Sequence, residues 1–105
     1  MKKIYLACPY SREPKISFHL ANKKAAQLML AGFVVFSPVS HGHAIAVSER
    51  LGNAHQFWME QDLPFIDWCD EVYVLQLPYW QQSKGIKSEI EYATKLGKPI
   101  KYIDL

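Results

Sequence analysis

The helical stretch Gly85-Ile86-Lys87-Ser88-Glu89-Ile90-Glu91-Tyr92-Ala93-Thr94-Lys95-Leu96 carries two carboxylates in unlike surroundings. At about 100° per residue, Ile86, Ile90, Ala93 and Leu96 share one arc, which must face a core. Glu91 projects away from that arc, four residues from both Lys87 and Lys95, as in an ordinary solvated charge stripe. Glu89 falls inside the apolar arc, between Ala93 and Leu96. A carboxylate buried without compensation costs several kcal/mol. Two readings are open. In one, Glu89 sits in or near the first turn and merely satisfies free N–H groups and the helix dipole. In the other, the same position keeps it ionised and aims it into a ligand crevice as nucleophile or base.

Other side chains qualify for chemistry with less force. Asp62 precedes Leu63-Pro64, where a helix N-cap accounts for it as well as acid catalysis does. Asp70, beside Glu71, closes a helix or opens a strand. Tyr5 lies in an apolar run, and its hydroxyl needs a partner when buried. His41 and His43 stand two apart after a strand, suited to touching a ligand. A metal would need a third ligand, which His55 or His19 supplies only at poor spacing, so no metal site is expected. Ser11-Arg12 offers a hydroxyl and a guanidinium to a phosphate. Trp80 either stacks on a base or covers the crevice. Cys8 and Cys69 form no CxxC pair and read as buried, reduced thiols.

The elements that must position these groups alternate along the chain. Ile4–Ala7, Phe33–Phe36, Glu71–Leu75 and Ile100–Ile103 read as strands. Helical patterns occupy about 14–31, with Pro14 in the first turn and Ile16, Leu20 and Leu28 near one face, then 54–69 and 85–96. Pro64 either kinks the middle helix or follows a new start capped by Asp62. Val39–His43 reads as a polar loop leading into a weakly patterned stretch. Continuous apolar strands separated by helices define an α/β fold, a parallel sheet of four to five strands covered on both faces. Ligands bind such sheets at the C-terminal strand ends, where strand order reverses. Three connections land there: residues 8–13, 37–43 and 76–85.

With 105 residues, 50% of them apolar, the chain has room for one domain, 1–105, and no more. A formal net charge of +2, with scattered basic residues, argues against a nucleic-acid polymer as partner. No run reaches the ~20 apolar residues of a membrane span, and the N-terminal apolar run meets Pro9 too soon for a signal peptide. The expected setting is cytoplasmic, with a small molecule as partner and no cofactor. Fourteen aromatic residues (Phe 5, Trp 3, Tyr 6) exceed what so small a core needs. The surplus around Phe57, Trp58 and Trp68 predicts a homodimer or higher homo-oligomer.

Several segments together resemble the nucleoside 2-deoxyribosyltransferase superfamily, which includes the 2′-deoxynucleoside 5′-monophosphate N-hydrolases. They are Ile4-Tyr5-Leu6-Ala7-Cys8-Pro9, Asp62-Leu63 before Asp70, Ser83-Lys84-Gly85-Ile86-Lys87-Ser88-Glu89-Ile90-Glu91-Tyr92-Ala93, and Gly97-Lys98-Pro99-Ile100. The resemblance spans nearly the whole chain and is closest to a small bacterial and phage branch with an ACPYS-like start, an SPVSH-like loop and a VLxLPxW strand end. It implies a Rossmann-like or flavodoxin-like three-layer sandwich. It further implies that Glu89 attacks the anomeric carbon, that Asp62 assists at the base, that Tyr5 orients the nucleophile, and that Ser83 and Gly85 contact a 5′-phosphate. Ser83 stands where transferases carry an aspartate and Ile86 where they carry a threonine, which tilts the expectation toward nucleotides. The first loop lacks the glycines of the N-hydrolase loop. The expected function is cleavage or transfer at the N-glycosidic bond of a nucleoside or its 5′-monophosphate; a nucleotide-binding or sensing module without chemistry is the alternative.

Overall fold

The computed structural model describes all 105 residues. In chain order it contains β1 (Lys3–Ala7), α1 (Pro14–Leu30), β2 (Val34–Phe36), α2 (Pro38–Glu49), α3 (His55–Trp68), β3 (Glu71–Leu75), a short 3₁₀ turn (Trp80–Gln82), α4 (Lys84–Lys95) and β4 (Ile100–Ile103). The strands form one parallel sheet in the order β2-β1-β3-β4. The expected three-layer α/β sandwich is present, with four strands.

Alternation along β1 splits the core into two faces. Ile4 and Leu6 point to one side and pack with Tyr73 and Leu75 against Ala21 and Ala25 of α1 and Val39 of α2. Tyr5 and Ala7 point to the other, joining Val72 and Val74 against Ile66, Cys69, Ile86 and Ala93 from the α3 and α4 side. Both cysteines are buried and unpaired. Only β1 and β3 are buried on both faces; the edge strands β2 and β4 keep partly exposed residues. The continuous burial expected of strands covered on both faces therefore holds for the central pair alone.

Helix α1 begins with Pro14, whose missing N–H costs nothing at that position. It buries Ser17, Ala21 and Ala25, a stripe of small side chains four apart that lets the helix lie close to the sheet. Ile16, expected on the packed face, is instead 53% exposed. Gly32, just past the helix end, adopts a φ of +99°, a left-handed conformation that glycine reaches without a Cβ clash.

Residues 38–43 are not a loop. The Ser37 hydroxyl accepts from the Ser40 N–H at 3.4 Å, Pro38 occupies the first turn, and α2 runs on to Glu49. Ser37-Pro38 ends β2 and starts this helix in the same two residues. Helix α3 is continuous through Pro64. Asp62 thus lies in a helix interior and is not an N-cap. Asp70 opens β3, its carboxylate accepting from the Lys3 N–H at 2.8 Å.

Candidate active site

The strand order reverses between β1 and β3, and the C-terminal ends of β1, β2 and β3 face two adjoining cavities. The first, of about 320 Å³, is bounded by the loop after β1, by α2, by α3 and by the start of α4. Glu89 and Asp62 both line it.

Glu89 is 3% exposed and is the sixth residue of α4, which starts at Lys84. It sits in the second turn, past the free N–H groups. The capping duty belongs to Ser83, whose hydroxyl accepts from the Ile86 N–H at 3.2 Å. A terminal cap therefore does not explain Glu89. The apolar arc read from the helix wheel is present at Ile86 and Ala93, while Leu96, 40% exposed, falls outside it.

The one hydrogen-bond partner of Glu89 is Tyr5, whose hydroxyl donates to Oε2 in a short bond and leaves Oε1 free. Tyr5 is wholly buried in β1, on the sheet face that α4 covers. Burial pushes the Glu89 carboxyl up to about 8; the Tyr5 bond pulls it back and the charge of Asp62 adds to the rise. Burial thus favours the protonated form of the Glu89 carboxyl. This works against the ionised glutamate expected from the sequence: burial disfavours the charge, and the helix dipole that was to hold it acts a turn earlier. Burial raises Asp62, 7% exposed, to about 6. Tyr5 is raised as well, first by burial and then by Glu89. Burial and the neighbouring Glu89 push the Cys8 thiol to about 12, so it faces the cavity as a neutral thiol and not as a nucleophile.

Three helices supply the rest of the wall. On α3, His55, Trp58, Met59 and Asp62 recur at i, i+3, i+4 and i+7 and all line the cavity. The indole of Trp58 donates to the Gly52 carbonyl at 2.8 Å. Its ring lies so near α2 that a Cβ on Gly42 would meet it at 3.2 Å. Trp58 is thus a cavity wall, contrary to its expected place on an interface; Phe57 and Trp68 do remain on the surface. His55 shares a hydrogen bond with Ser88 (3.0 Å). His43 shares one with Tyr10 (2.6 Å) and packs against Phe18 in a tilted arrangement, at a ring separation of 4.5 Å.

The residues expected to contact a ligand divide. Ser11, His43, Ser83 and Gly85 line the Glu89 cavity. His41 does not: it is exposed and lies against Phe36. Arg12 lines only the second cavity, and Trp80 packs on Tyr102 and the core beneath α4, outside both cavities. Tyr10, Trp58, Met59 and Lys84 line the first cavity without having been singled out as ligand contacts. The four-residue rhythm from His55 to Asp62 was the available signal for those on α3. No three His, Cys, Asp or Glu side chains converge on a point where a metal ion would be held, and no helix is long and apolar enough to cross a membrane.

The likeness of this parallel four-stranded fold to solved 2-deoxyribosyltransferases places the molecule in the nucleoside 2-deoxyribosyltransferase-like superfamily. Its fold is similar to a 2-deoxyribosyltransferase from the psychrotolerant bacterium Bacillus psychrosaccharolyticus, at a TM-score of 0.67 and 25% identity, covering 97% of this chain and 72% of that one. A 2-deoxyribosyltransferase from Leishmania mexicana is similar at a TM-score of 0.67 and 21% identity, covering 99% of this chain and 65% of that one. The chain belongs to the family described as Domain of unknown function (DUF1937), whose model matches residues 2–104. No curated protein matches it by sequence.

Proposed function

We propose that the protein cleaves or transfers at the N-glycosidic bond of a (2′-deoxy)nucleoside or its 5′-monophosphate, with Glu89 as nucleophile, Asp62 as acid and base, and Tyr5 as the group that positions Glu89. The observation that carries this reading is the Tyr5–Glu89 hydrogen bond at the floor of a cavity that also holds Asp62.

The two carboxyls, raised to about 8 and about 6, titrate as a pair that holds one proton between those values. The reactive form of that pair has the proton on Asp62 and Glu89 ionised, the arrangement that positive charge developing at C1′ favours. Glu89 Oε1 attacks C1′ through an oxocarbenium-like transition state, the C1′–N bond breaks, and Asp62 gives its proton to the departing base. Asp62, now ionised, takes a proton from water as that water attacks C1′, which frees the sugar and restores Glu89. In transfer, a second base replaces the water. Ser83 and Gly85 receive the 5′-phosphate in this reading, which their place in the cavity lining supports, together with Ser11 and with His43 of α2. The ligand is a small molecule in a cytoplasmic setting. The exposed Phe57, Phe65 and Trp68 (45%, 38% and 37%) support a homodimer or larger assembly, which light scattering of the purified protein tests directly.

Incubation with a panel of nucleosides and deoxynucleotides, followed by chromatography for free base, tests the reaction. Release from at least one compound, lost in Glu89→Gln while that variant still folds, is expected. Binding without release in the wild type favours the sensing module and removes the catalytic reading.

A further inference from the structure

The cavity beside the Glu89 site has a volume of about 380 Å³ and belongs to no step of the chemistry above. It lies over the C-terminal ends of β1 and β3, where strand order reverses and sheets of this kind receive ligands. Tyr10, Ser11, Ser83 and Lys84 line both cavities. The two chambers therefore meet across a ridge of hydroxyls and one ammonium group.

The lining of the second chamber is of two kinds. Near the ridge are Arg12 and Lys84, neither in an ion pair, since the chain's sole ion pair is Lys2–Glu71. Glu13 is the one carboxylate there. The Arg12 guanidinium lies 3.7 Å from the centre of the Tyr79 ring, which orients its N–H edge while leaving that edge free for a phosphate. Tyr79 holds a left-handed backbone at φ +70°, a conformation that costs about 1 kcal/mol in a non-glycine residue. Ile16, Leu20, Leu77 and Pro78 supply apolar lining, of which Leu77 is buried and Ile16 lies at the open side. Two cations set beside this much apolar surface do not suit a bare polyphosphate tail. They suit a second flat or apolar unit attached through phosphates. Each chamber is at the small end of the range for a small-molecule site, enough for one nucleoside apiece.

We infer that the ligand is a dinucleotide: two nucleosides joined through a 5′,5′-pyrophosphate, one with its sugar over Glu89, the other in the chamber beneath the Arg12–Tyr79 stack, and the phosphates crossing the Ser11, Ser83 and Lys84 ridge. This rests on the reading above only in seating a nucleoside over Glu89; it names the substrate class that such a site takes.

Isothermal titration of the folded protein with a nucleoside 5′-monophosphate, the matching 5′-diphosphate and the matching dinucleoside 5′,5′-diphosphate, over several bases, tests it. The dinucleotide is expected to bind roughly tenfold or more tighter than the monophosphate, with the diphosphate between them. Arg12→Ala and Ile16→Trp, the second filling the chamber from an exposed position, each bring that ratio toward one. Equal affinities for monophosphate and dinucleotide in the wild type overturn the inference. So does a diphosphate that binds as tightly as the dinucleotide, or a ratio that neither variant moves. Base release is scored separately. Release from a mononucleotide with no preference for dinucleotides defeats this inference alone. A preference sensitive to Arg12, with no base released from any compound, supports the two-chamber site and defeats the catalytic reading.

Discussion

Replacing Glu89 by Gln tests whether the fold carries a cost at this position. The folded chain holds the Glu89 proton up to about 8, against an ordinary value of 4.5. Below about pH 4 both the folded and unfolded chains are protonated there, and the group contributes nothing to pH dependence. As pH rises past 4.5 the unfolded chain loses its proton while the folded chain keeps it, so stability falls until about pH 8 and then levels off. At ~1.4 kcal/mol per pH unit, the full cost is about 5 kcal/mol, of which about 3 kcal/mol has accrued by pH 7. Gln has nearly the same shape, never ionises, and still accepts from Tyr5 through its amide oxygen. Some of the gain is lost to the amide N–H groups, which need water from the cavity. A net stabilisation of about 2 kcal/mol at pH 8 follows, corresponding to about 10 °C in the melting temperature of a domain this small. At pH 4 the two proteins melt within about 2 °C of each other. Thermal melts by circular dichroism from pH 4 to 8 measure the gap. A gap that does not widen with pH, or a Gln variant less stable at pH 8, refutes the reasoning that Glu89 is buried at the fold's expense.

Three further outcomes follow from the same geometry. The pH profile of kcat/KM for base release is a bell with limbs near 6 and 8, read from initial rates at low substrate, because only the singly protonated acid pair is active. Tyr5→Phe removes the bond that lowers Glu89; kcat falls roughly 10- to 100-fold and the alkaline limb moves upward, a shift that a purely structural lesion does not produce. Gly42→Ala sets a Cβ 3.2 Å from the Trp58 ring, so the ring must shift by a few tenths of an ångström. KM is expected to rise several-fold with a stability loss of about 1–2 kcal/mol, measured by steady-state kinetics and urea titration.

The parts legible in the sequence are those whose cause is local. Strands β1 and β3 show as apolar runs because both faces are covered, and Gly32 and Gly97 mark helix ends through their left-handed backbones, at φ +99° and +74°. Glu89 was visible because α4 is strongly two-faced, so one misplaced carboxylate stands out. Helix α2 was not visible: Gly42 and the run Ala44-Ile45-Ala46-Val47 give it no polar face, and Ser37-Pro38 reads equally as a strand end or a helix start. The place of Trp58 in the cavity wall was not legible because it depends on Gly42, sixteen residues away, making room for the ring. The second chamber is built by three segments that meet only in the fold, with Arg12 reaching Tyr79 across 67 positions of sequence. Ser11-Arg12 was noted as a phosphate contact, but nothing along the chain says that Arg12 lies outside the cavity holding Glu89.

No cation balances the buried acids of this site. Tyr5 and Glu89 satisfy each other's hydrogen bond, so either explains the other's burial, but neither explains why the pair exists. An apolar pair of similar size on β1 and α4 would fill the same space at lower cost, as replacements of buried polar pairs show in other proteins. A structural ion pair would bring a cation to neutralise the charge. Here the second ionisable group in the cavity wall that acts on Glu89 is another acid, Asp62, which raises its energy further, and the nearby Lys84 makes no ion pair. Two carboxyls are thus held at the floor and wall of one cavity with a single proton between them at neutral pH. Folding alone gains nothing from that arrangement. A reaction that creates positive charge at one carbon, and must deliver a proton to the group leaving it, uses both.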